Sequence, residues 1–250
     1  MTQRSKYLAI ILAAGKGSRL DFDGPKPLFP IYGKPMIQHI FENFADAGSI
    51  DMLTVIGHKK EQLIKHIEGQ SEYVHQKLQH GTGHAAAQCI SQIEKYKNTF
   101  IFVADAPFIS SDNIRIMINN HDRTKSDCTF LYSDFPVSLP YGRLIFNSEN
   151  NLSGLIEEHN ADTHIKNIST YFTSQYLFKS EALIDVLSQI YPDKITGEYN
   201  LTESINIMIK QNFNLLPVYI EEYWKLIGIN TIDDLHYIQK LNEKQLNEKQ

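Results

Sequence analysis

The first half of the chain alternates between short apolar runs and segments with helical spacing, which limits the fold more than any other feature. Tyr7–Leu12 is a continuous apolar run bounded by Gly15, typical of a strand buried on both faces of a parallel sheet. Apolar residues then recur at helical spacing from Met36 to Ala47, and Gly48 ends that pattern. Continuing in this way, we predict strands at 7–12, 52–56, 73–75, 100–104 and 128–132, and helices at 36–47, 59–68, 84–96 and 110–119. Strands that alternate with helices predict parallel βαβ units.

The pattern changes after residue 135. There we predict a β-hairpin at 143–146 and 152–157, strands at 169–178, 215–220 and 224–227, and helices at 180–190, 202–211 and 232–246. Because no Pro/Gly/Ser-rich linker separates the two regions, we expect one α/β domain over residues 1–240 with a mixed-sheet insertion. Residues 241–250 repeat Leu-Asn-Glu-Lys-Gln twice, and we expect a helical or frayed tail there.

Composition excludes several classes of protein. The 250 residues carry a net charge of −5, which argues against a nucleic-acid partner, and no apolar run is long enough to cross a membrane. The N-terminal apolar run is too short for a signal peptide, and Cys89 and Cys128 lie in no Cys-x-x-Cys motif. We therefore expect a cytoplasmic protein with free thiols. The oligomeric state is open, an oligomer included.

A glycine-rich turn follows the first strand. Leu12-Ala-Ala-Gly-Lys-Gly-Ser-Arg19 offers two glycines, at 15 and 17, whose backbone N–H groups can approach an anion. Leu20 stands where a Rossmann fingerprint needs its third glycine, and the order Gly-Lys-Gly-Ser is not a Walker A loop. The turn is either a phosphate-binding turn or a plain tight turn.

Two charged residues stand at places that suit a phosphate site. Lys26 lies between Pro25 and Pro27, which restrict the backbone and fix the direction of the lysine. Asp105 ends the third apolar strand, at the edge of the sheet where ligands bind in open α/β folds. A carboxylate there is a natural Mg²⁺ ligand. The alternatives are a solvated lysine and an aspartate that caps the next turn.

The segment Gln76 to His84 combines an amide with a second glycine-containing turn. The Gln76 amide both donates and accepts, as the edge of a pyrimidine requires. Gly81-Thr82-Gly83 precedes a predicted helix, so its N–H groups and hydroxyl can contact a ligand. His80 and His84 have the spacing of a metal pair, but the glycines between them interrupt the helix such a pair needs. We expect His84 to be a structural hydrogen-bonding residue.

Further along, the short motifs are weak by themselves. Each has a plain structural interpretation: a turn, a solvated acidic pair or a helix cap. Asn230, for example, is a favourable N-cap for the last helix. The motifs are Tyr141-Gly-Arg143, Leu155-Ile-Glu-Glu158, Gly197-Glu-Tyr199, Leu201-Thr-Glu203 and Gly228-Ile-Asn230.

Taken in order along residues 7–240, these motifs resemble the sugar-phosphate nucleotidyltransferase family, most closely the uridylyltransferase domain of bacterial N-acetylglucosamine-1-phosphate uridylyltransferases. The resemblance implies a three-layer, Rossmann-like mixed sheet with a nucleotide-binding half (about 1–135) and a sugar-binding half (about 136–230). It implies that Arg19 and Lys26 hold phosphates and that Asp105 and Asn230 hold Mg²⁺. The implied nucleotide-binding residues are Leu12, Ala13, Ala14, Gly15, Gln76, Gly81 and Thr82, and the implied sugar-binding residues are Gly142, Glu157, Ser169 and Glu198.

The chain departs from the family pattern at three places. It has Ala104-Asp105 where the family has Gly-Asp, which keeps the carboxylate. Ser169 aligns with the Asn of an Asn-Thr-Gly segment that contacts the N-acetyl sugar, so the acceptor is open. Finally, the chain ends at residue 250 without a hexapeptide repeat, so we expect no β-helix domain and no acetyltransferase activity.

The function predicted from this resemblance is an Mg²⁺-dependent transfer of UMP from UTP to a sugar 1-phosphate with release of pyrophosphate. Two alternatives remain. One is a cytidylyl- or other nucleotidyltransferase acting on a different phosphorylated acceptor. The other is a regulator that binds a nucleotide sugar without catalysis.

Overall fold

The structure, a computed structural model, describes residues 5–248, and side chains within residues 5–241. In that part of the chain, nine strands form one sheet and two short strands form a second. The strands are β1 (Tyr7–Leu12), β2 (Pro30–Ile31), β3 (Lys34–Pro35), β4 (Ile50–Ile56), β5 (Glu72–His75), β6 (Asn98–Val103), β7 (Cys128–Asp134), β8 (Arg143–Phe146), β9 (Leu152–Ile156), β10 (Thr170–Lys179) and β11 (Leu215–Tyr219).

Helices connect most of these strands. They are α1 (Met36–Ala47), α2 (Lys60–Ile67), α3 (Thr82–Ala87), α4 (Ile90–Ile93), α5 (Ser111–Thr124), α6 (Thr163–Lys166), α7 (Ser180–Leu187), α8 (Glu203–Lys210) and α9 (Ile232–Glu248). Three 3-10 helices cover Lys26–Leu28, Glu158–Asn160 and Tyr223–Leu226. The predicted tail falls partly in α9, while residues 249 and 250 and the side chains from 242 lie outside the described residues.

The order of strands across the large sheet is β11–β7–β10–β6–β1–β4–β5. Strand β1 pairs in parallel with β4 and β6, and β4 pairs in parallel with β5. Strand β10 runs antiparallel between β6 and β7, and the hairpin β8–β9 joins it where Arg143 meets Tyr171. Because β1, β4, β5 and β6 run the same way, their carboxyl ends share one edge, where ligands bind in open α/β sheets.

Helices cover both faces of the sheet, and the alternation of β1 shows why its sequence is apolar throughout. Ala9 and Ile11 belong to the core under α1, α2, α5 and α9. Leu8 and Ile10 belong to the core under α3, α4, α7 and α8. Successive side chains of a strand point to opposite faces, so a strand covered on both sides needs apolar residues at every position. The predicted three-layer α/β fold with a mixed central sheet is confirmed.

Two of the sequence-based assignments were wrong in detail, and two features were missed. The predicted helix 84–96 is two short helices, because the Cys89 N–H donates to the Ala86 carbonyl and tightens the chain between α3 and α4. The predicted strand 224–227 is the 3-10 helix Tyr223–Leu226, which buries Trp224 and Leu226 in the core that also contains Ala9 and Ile11. The hairpin β2–β3 and helix α6 were not predicted.

Both cysteines are buried and unpaired. Burial raises the pKa of the Cys89 thiol to about 12 and that of Cys128 well above its ordinary value. Neither is a nucleophile at neutral pH, since reactivity requires the thiolate. This agrees with the expectation of free, structural thiols. Within residues 5–248, none of the helices combines the length and the apolar character needed to cross a membrane.

A buried histidine makes the stability of the fold depend on pH. His121 contacts Thr129 at 3.0 Å and Asn98 at 3.3 Å, and burial lowers its pKa to about 4. The pKa of His121 in the folded protein lies below its ordinary value of about 6.5. The contribution of His121 to the free energy of unfolding is therefore constant above about pH 6.5 and falls as the pH drops toward about 4. We expect a loss of up to about 3 kcal/mol from this group, measured by urea unfolding.

The variant His121→Gln tests that expectation, with His236→Gln, at an exposed position on α9, as the matched control. The difference in unfolding free energy between neutral and acidic pH should shrink in His121→Gln and persist in His236→Gln. An equal pH dependence in both variants would contradict the assignment to His121.

Candidate active site

The glycine-rich turn after β1 is packed closely on its inner side and open on its outer side. Ala13 and His58 tie the turn to β4, with Ala13 N–H donating to the Val55 carbonyl at 2.9 Å and His58 N–H to the Ala14 carbonyl at 3.2 Å. Gly17 has a positive φ of 62°, and a Cβ there would lie 2.5 Å from the Cβ of Lys26. By contrast, nothing lies within 4 Å of a Cβ added at Gly15. The turn thus presents open backbone at Gly15, as an anion requires.

Four polar side chains from distant parts of the chain meet beside this turn. Lys26 Nζ lies 2.6 Å from Asp105 Oδ2 and 2.8 Å from Asn230 Oδ1. Arg19 Nη2 donates to the same Asn230 oxygen at 2.8 Å. The side chains of Lys26 and Asp105 are 13% and 24% exposed, so this ion pair is partly shielded from water. Two cations and one carboxylate leave this cluster, which we call the Lys26 cluster, with a net positive charge.

The backbone around Asp105 and Asn230 is held by Gly228 and Tyr141. The Ile229 N–H donates to the Asp105 carbonyl at 2.7 Å, and the Gly228 N–H donates to the Tyr141 hydroxyl at 2.9 Å. A Cβ at position 228 would lie 2.9 Å from Asp105 Oδ1, so glycine is needed for the carboxylate to approach. Burial raises the pKa of Tyr141, which stays a neutral hydroxyl.

The cap of the last helix differs from the sequence-based interpretation. Thr231, not Asn230, caps α9: the Asp234 N–H donates to Thr231 Oγ1, and Asp234 Oδ2 accepts from the Thr231 N–H. This reciprocal pair is a capping box. Because Thr231 does the capping, the Asn230 side chain contacts Arg19 and Lys26 instead.

A cavity of about 670 Å³ opens at the carboxyl edge of β1, β5 and β6. Lys16, Arg19 and Lys26 bring three cationic side chains to it, against the carboxylates of Asp105 and Glu198. Among the predicted nucleotide-site residues, it gathers Leu12, Ala13, Ala14, Gly15, Arg19, Lys26, Gln76, Gly81, Thr82, Asp105 and Asn230. We call it the nucleotide cavity, and its size suits a nucleoside triphosphate.

A smaller cavity of about 170 Å³ adjoins the first one, and both are lined by Asp105 and Asn230. Gly142 and Glu157, two of the predicted sugar-binding residues, line this smaller cavity, which we call the acceptor cavity. Thr202 Oγ1 donates to Glu157 Oε1 and holds that carboxylate in place. None of the residues lining the acceptor cavity is Lys or Arg.

The other two predicted sugar-binding residues lie elsewhere. Ser169 is exposed, and its carbonyl accepts the Phe135 N–H at 2.9 Å, outside both cavities. Glu198 lines the nucleotide cavity instead of the acceptor cavity. Sequence reasoning placed Ser169 in the sugar site because it aligned the Asn-Thr-Gly segment of the family with the start of β10.

The residues of β10 that line the acceptor cavity come later, at 172–175. Pairing with β7 shifts there, since four steps from Phe172 to Tyr176 match two steps on β7, and Ser174 has a positive φ of 62°. We call this segment the β10 bulge. A non-glycine residue at positive φ leaves no mark in the sequence, so the bulge could not be found from it.

The glycine-rich turn, the mixed sheet and the two adjoining cavities are typical of an α/β protein that binds a nucleotide beside a second ligand. Residues 8–245 match the family model described as nucleotidyl transferase, and the chain belongs to that family. The resemblance found in the sequence is confirmed at this level.

Among curated proteins, the bifunctional protein GlmU of Caldanaerobacter subterraneus subsp. tengcongensis is 30% identical over 244 residues, 98% of this chain and 53% of that protein. The bifunctional protein GlmU of Acholeplasma laidlawii is 32% identical over 244 residues, 97% of this chain and 52% of that protein. The chain therefore spans about half the length of these curated relatives. A UDP-glucose pyrophosphorylase solved with UDP-glucose shares the fold, with a TM-score of 0.73 at 18% identity, covering 95% of this chain and 98% of that one.

Proposed function

We propose that this protein is an enzyme that transfers UMP from UTP to the phosphate of a sugar 1-phosphate, such as N-acetylglucosamine 1-phosphate, and releases pyrophosphate. The observation that carries the proposal is the meeting of two cavities at Asp105 and Asn230. A nucleotidyl transfer needs a nucleotide and an acceptor whose phosphates approach each other at one charged point. The match to the family model described as nucleotidyl transferase supports the same reaction class.

The nucleotide cavity supplies what a triphosphate needs. Open backbone at Gly15 faces the anion, and Arg19 and Lys26 balance charge on the phosphates. Lys16 lines the same cavity, and no ion-pair partner is seen for it among the side chains of residues 5–241. These residues stabilise the negative charge that develops as pyrophosphate leaves.

The acceptor cavity supplies hydrogen-bonding groups and no cation. Glu157, held by Thr202, presents a carboxylate to hydroxyl groups of a sugar ring. Gly142 leaves room beside it, since a Cβ there would lie 3.4 Å from Glu157 Oε2.

Asp105 and Asn230 fit a magnesium ion. Their two side-chain oxygens both contact the ammonium of Lys26, so the pair already holds a cation. No group of three or more His, Cys, Asp or Glu side chains suited to a metal occurs among the described residues. Mg²⁺ suits such a sparse site, since it takes one or two protein oxygens and completes its shell with phosphates and water. When bound, it supplies charge neutralisation across the phosphates.

The reaction needs no general base. A phosphate monoester is already largely a dianion at neutral pH, since its second pKa is about 6. One of its oxygens attacks the α-phosphorus of UTP, the bond to the β-phosphate oxygen breaks, and pyrophosphate leaves with the electron pair. The residues of this chain hold the two anions together and balance their charge, which is positioning and electrostatic catalysis.

A pyrophosphate-release assay with Mg²⁺ tests the proposal. UTP, CTP, dTTP and ATP are each offered with N-acetylglucosamine 1-phosphate, glucose 1-phosphate or phosphocholine. We expect release with UTP and a sugar 1-phosphate, and none when the acceptor is omitted. Release with CTP and an acceptor, but not with the other three nucleotides, would support the cytidylyltransferase alternative. Tight nucleotide-sugar binding without any release would support the regulator.

A further inference from the structure

The amide of Gln76, on the wall of the nucleotide cavity, is held from two sides. Its Nε2 atom lies 3.1 Å from the Gly81 carbonyl oxygen and 2.9 Å from His84 Nδ1. The residue is only 3% exposed. A carbonyl oxygen can only accept, so the amide atom that faces it must be the nitrogen. The orientation of the amide therefore follows from its surroundings.

These two contacts use the whole donor capacity of Gln76. An amide nitrogen carries two hydrogens, and here one is directed to Gly81 and the other to His84. The remaining group, Oε1, has no hydrogen-bond partner in the described part of the chain. A ligand in the cavity thus meets an acceptor at Gln76, and not the donor-and-acceptor pair that a free amide offers.

His84 accepts the second hydrogen only if its Nδ1 is unprotonated. Its surroundings favour the neutral ring: burial lowers the pKa of His84, and the neighbouring His80 lowers it further. The two rings meet edge to face with centroids 5.4 Å apart, and Tyr199 lies on another side at 6.5 Å. The ring is therefore packed in one orientation next to Gln76.

We propose that His84 is a positioning residue for the choice of nucleobase, an inference that rests on the proposed nucleotidyl transfer. By holding the amide nitrogen of Gln76, His84 leaves only an oxygen to face the base. Uracil presents an N–H donor at ring position N3, whereas cytosine presents an acceptor at the same position. In one and the same binding pose, the site attracts uracil and repels cytosine.

The test is the affinity of the full-length protein for UTP and for CTP, each with Mg²⁺, measured by titration calorimetry. We expect the natural protein to bind UTP more tightly. In His84→Phe, which keeps a ring but removes both nitrogens, Gly81 still holds one amide hydrogen of Gln76, while the second hydrogen loses its acceptor and becomes available to a base. Its UTP-to-CTP affinity ratio should fall by about tenfold, the size of one hydrogen bond.

Gln88→Ala is the matched control. Gln88 is exposed and lies 3.3 Å from the other ring nitrogen of His84, so its removal takes away a polar neighbour of the ring and leaves the contact between His84 Nδ1 and Gln76 in place. Its affinity ratio should equal that of the natural protein. His84→Asn, which keeps an acceptor, serves if His84→Phe does not fold, and should lose less discrimination than His84→Ala.

The inference and the proposed function fail in different ways. Equal binding of UTP and CTP by the natural protein, or an unchanged ratio in folded His84→Phe, would overturn the role of His84. A strong preference for UTP, lost in His84→Phe, supports that role even where no acceptor yields pyrophosphate. That absence of release would overturn the proposed reaction alone.

Discussion

Replacing Asp105 with Asn should lower kcat with UTP and a sugar 1-phosphate by about 10³-fold. Among the described residues, Asp105 is the one carboxylate that contacts Lys26 and also lines both cavities. The amide keeps the shape of the side chain but removes the charge that a divalent cation and Lys26 both need. Steady-state pyrophosphate release measures the loss, and thermal unfolding checks that the fold persists.

The chain contains a matched ion pair for comparison. Lys6 and Asp122 also lie 2.6 Å apart, but far from both cavities and with their side chains about two-fifths exposed. Asp122→Asn should leave kcat within about twofold, because Asp122 lines neither cavity. The fold should persist as well, because an exposed ion pair contributes little to stability. Comparable turnover in Asp105→Asn and the natural protein would remove Asp105 from the proposed active site.

Replacing Lys26 with Met should lower kcat by about 10²-fold and, at the same time, tighten Mn²⁺ binding by the free protein by about tenfold. The first effect follows from the loss of a cation beside the phosphates. The second follows because the Lys26 ammonium contacts both oxygens that a metal ion would use. The measurements are pyrophosphate release and Mn²⁺ titration followed by electron paramagnetic resonance without nucleotide.

Lys6→Met is the control for this second prediction, since it removes an ammonium from a carboxylate at the same distance. Neither kcat nor Mn²⁺ affinity should change in that variant. If Lys26→Met bound Mn²⁺ no more tightly than the natural protein, Asp105 and Asn230 would not be the metal-binding pair. A loss of turnover alone would then be explained by phosphate binding.

The sequence was most informative where a pattern of residues has a single physical explanation. A run that is apolar at every position, such as Tyr7–Leu12, is explained by a strand covered on both faces, and the structure has it in the centre of the sheet. Asp105 was located in the same way, from its place at the end of a buried strand. The carboxyl ends of parallel strands meet at one edge, so residues far apart in sequence converge there.

The sequence was less informative where the backbone departs from regular geometry. Nothing in Thr170–Lys179 distinguishes a continuous strand from one with a bulge at Ser174, so the β10 residues that line the acceptor cavity, 172–175, could not be selected from the sequence. The cap of α9 was missed for another reason. Asn230 and Thr231 are both favourable N-cap residues. The sequence does contain the Thr-x-x-Asp pattern, Thr231 to Asp234, that favours Thr231 as the cap.

The β10 bulge also separates two tasks that one strand would otherwise combine. Before the bulge β10 pairs with β7, and after it β10 pairs with both β6 and β7, which sets the position of the sheet edge and of Asp105. Thr173, Ser174 and Gln175, within the bulge, belong to neither run of the β7 ladder and line the acceptor cavity. Substitutions there can therefore alter which acceptor fits while the nucleotide cavity keeps its shape.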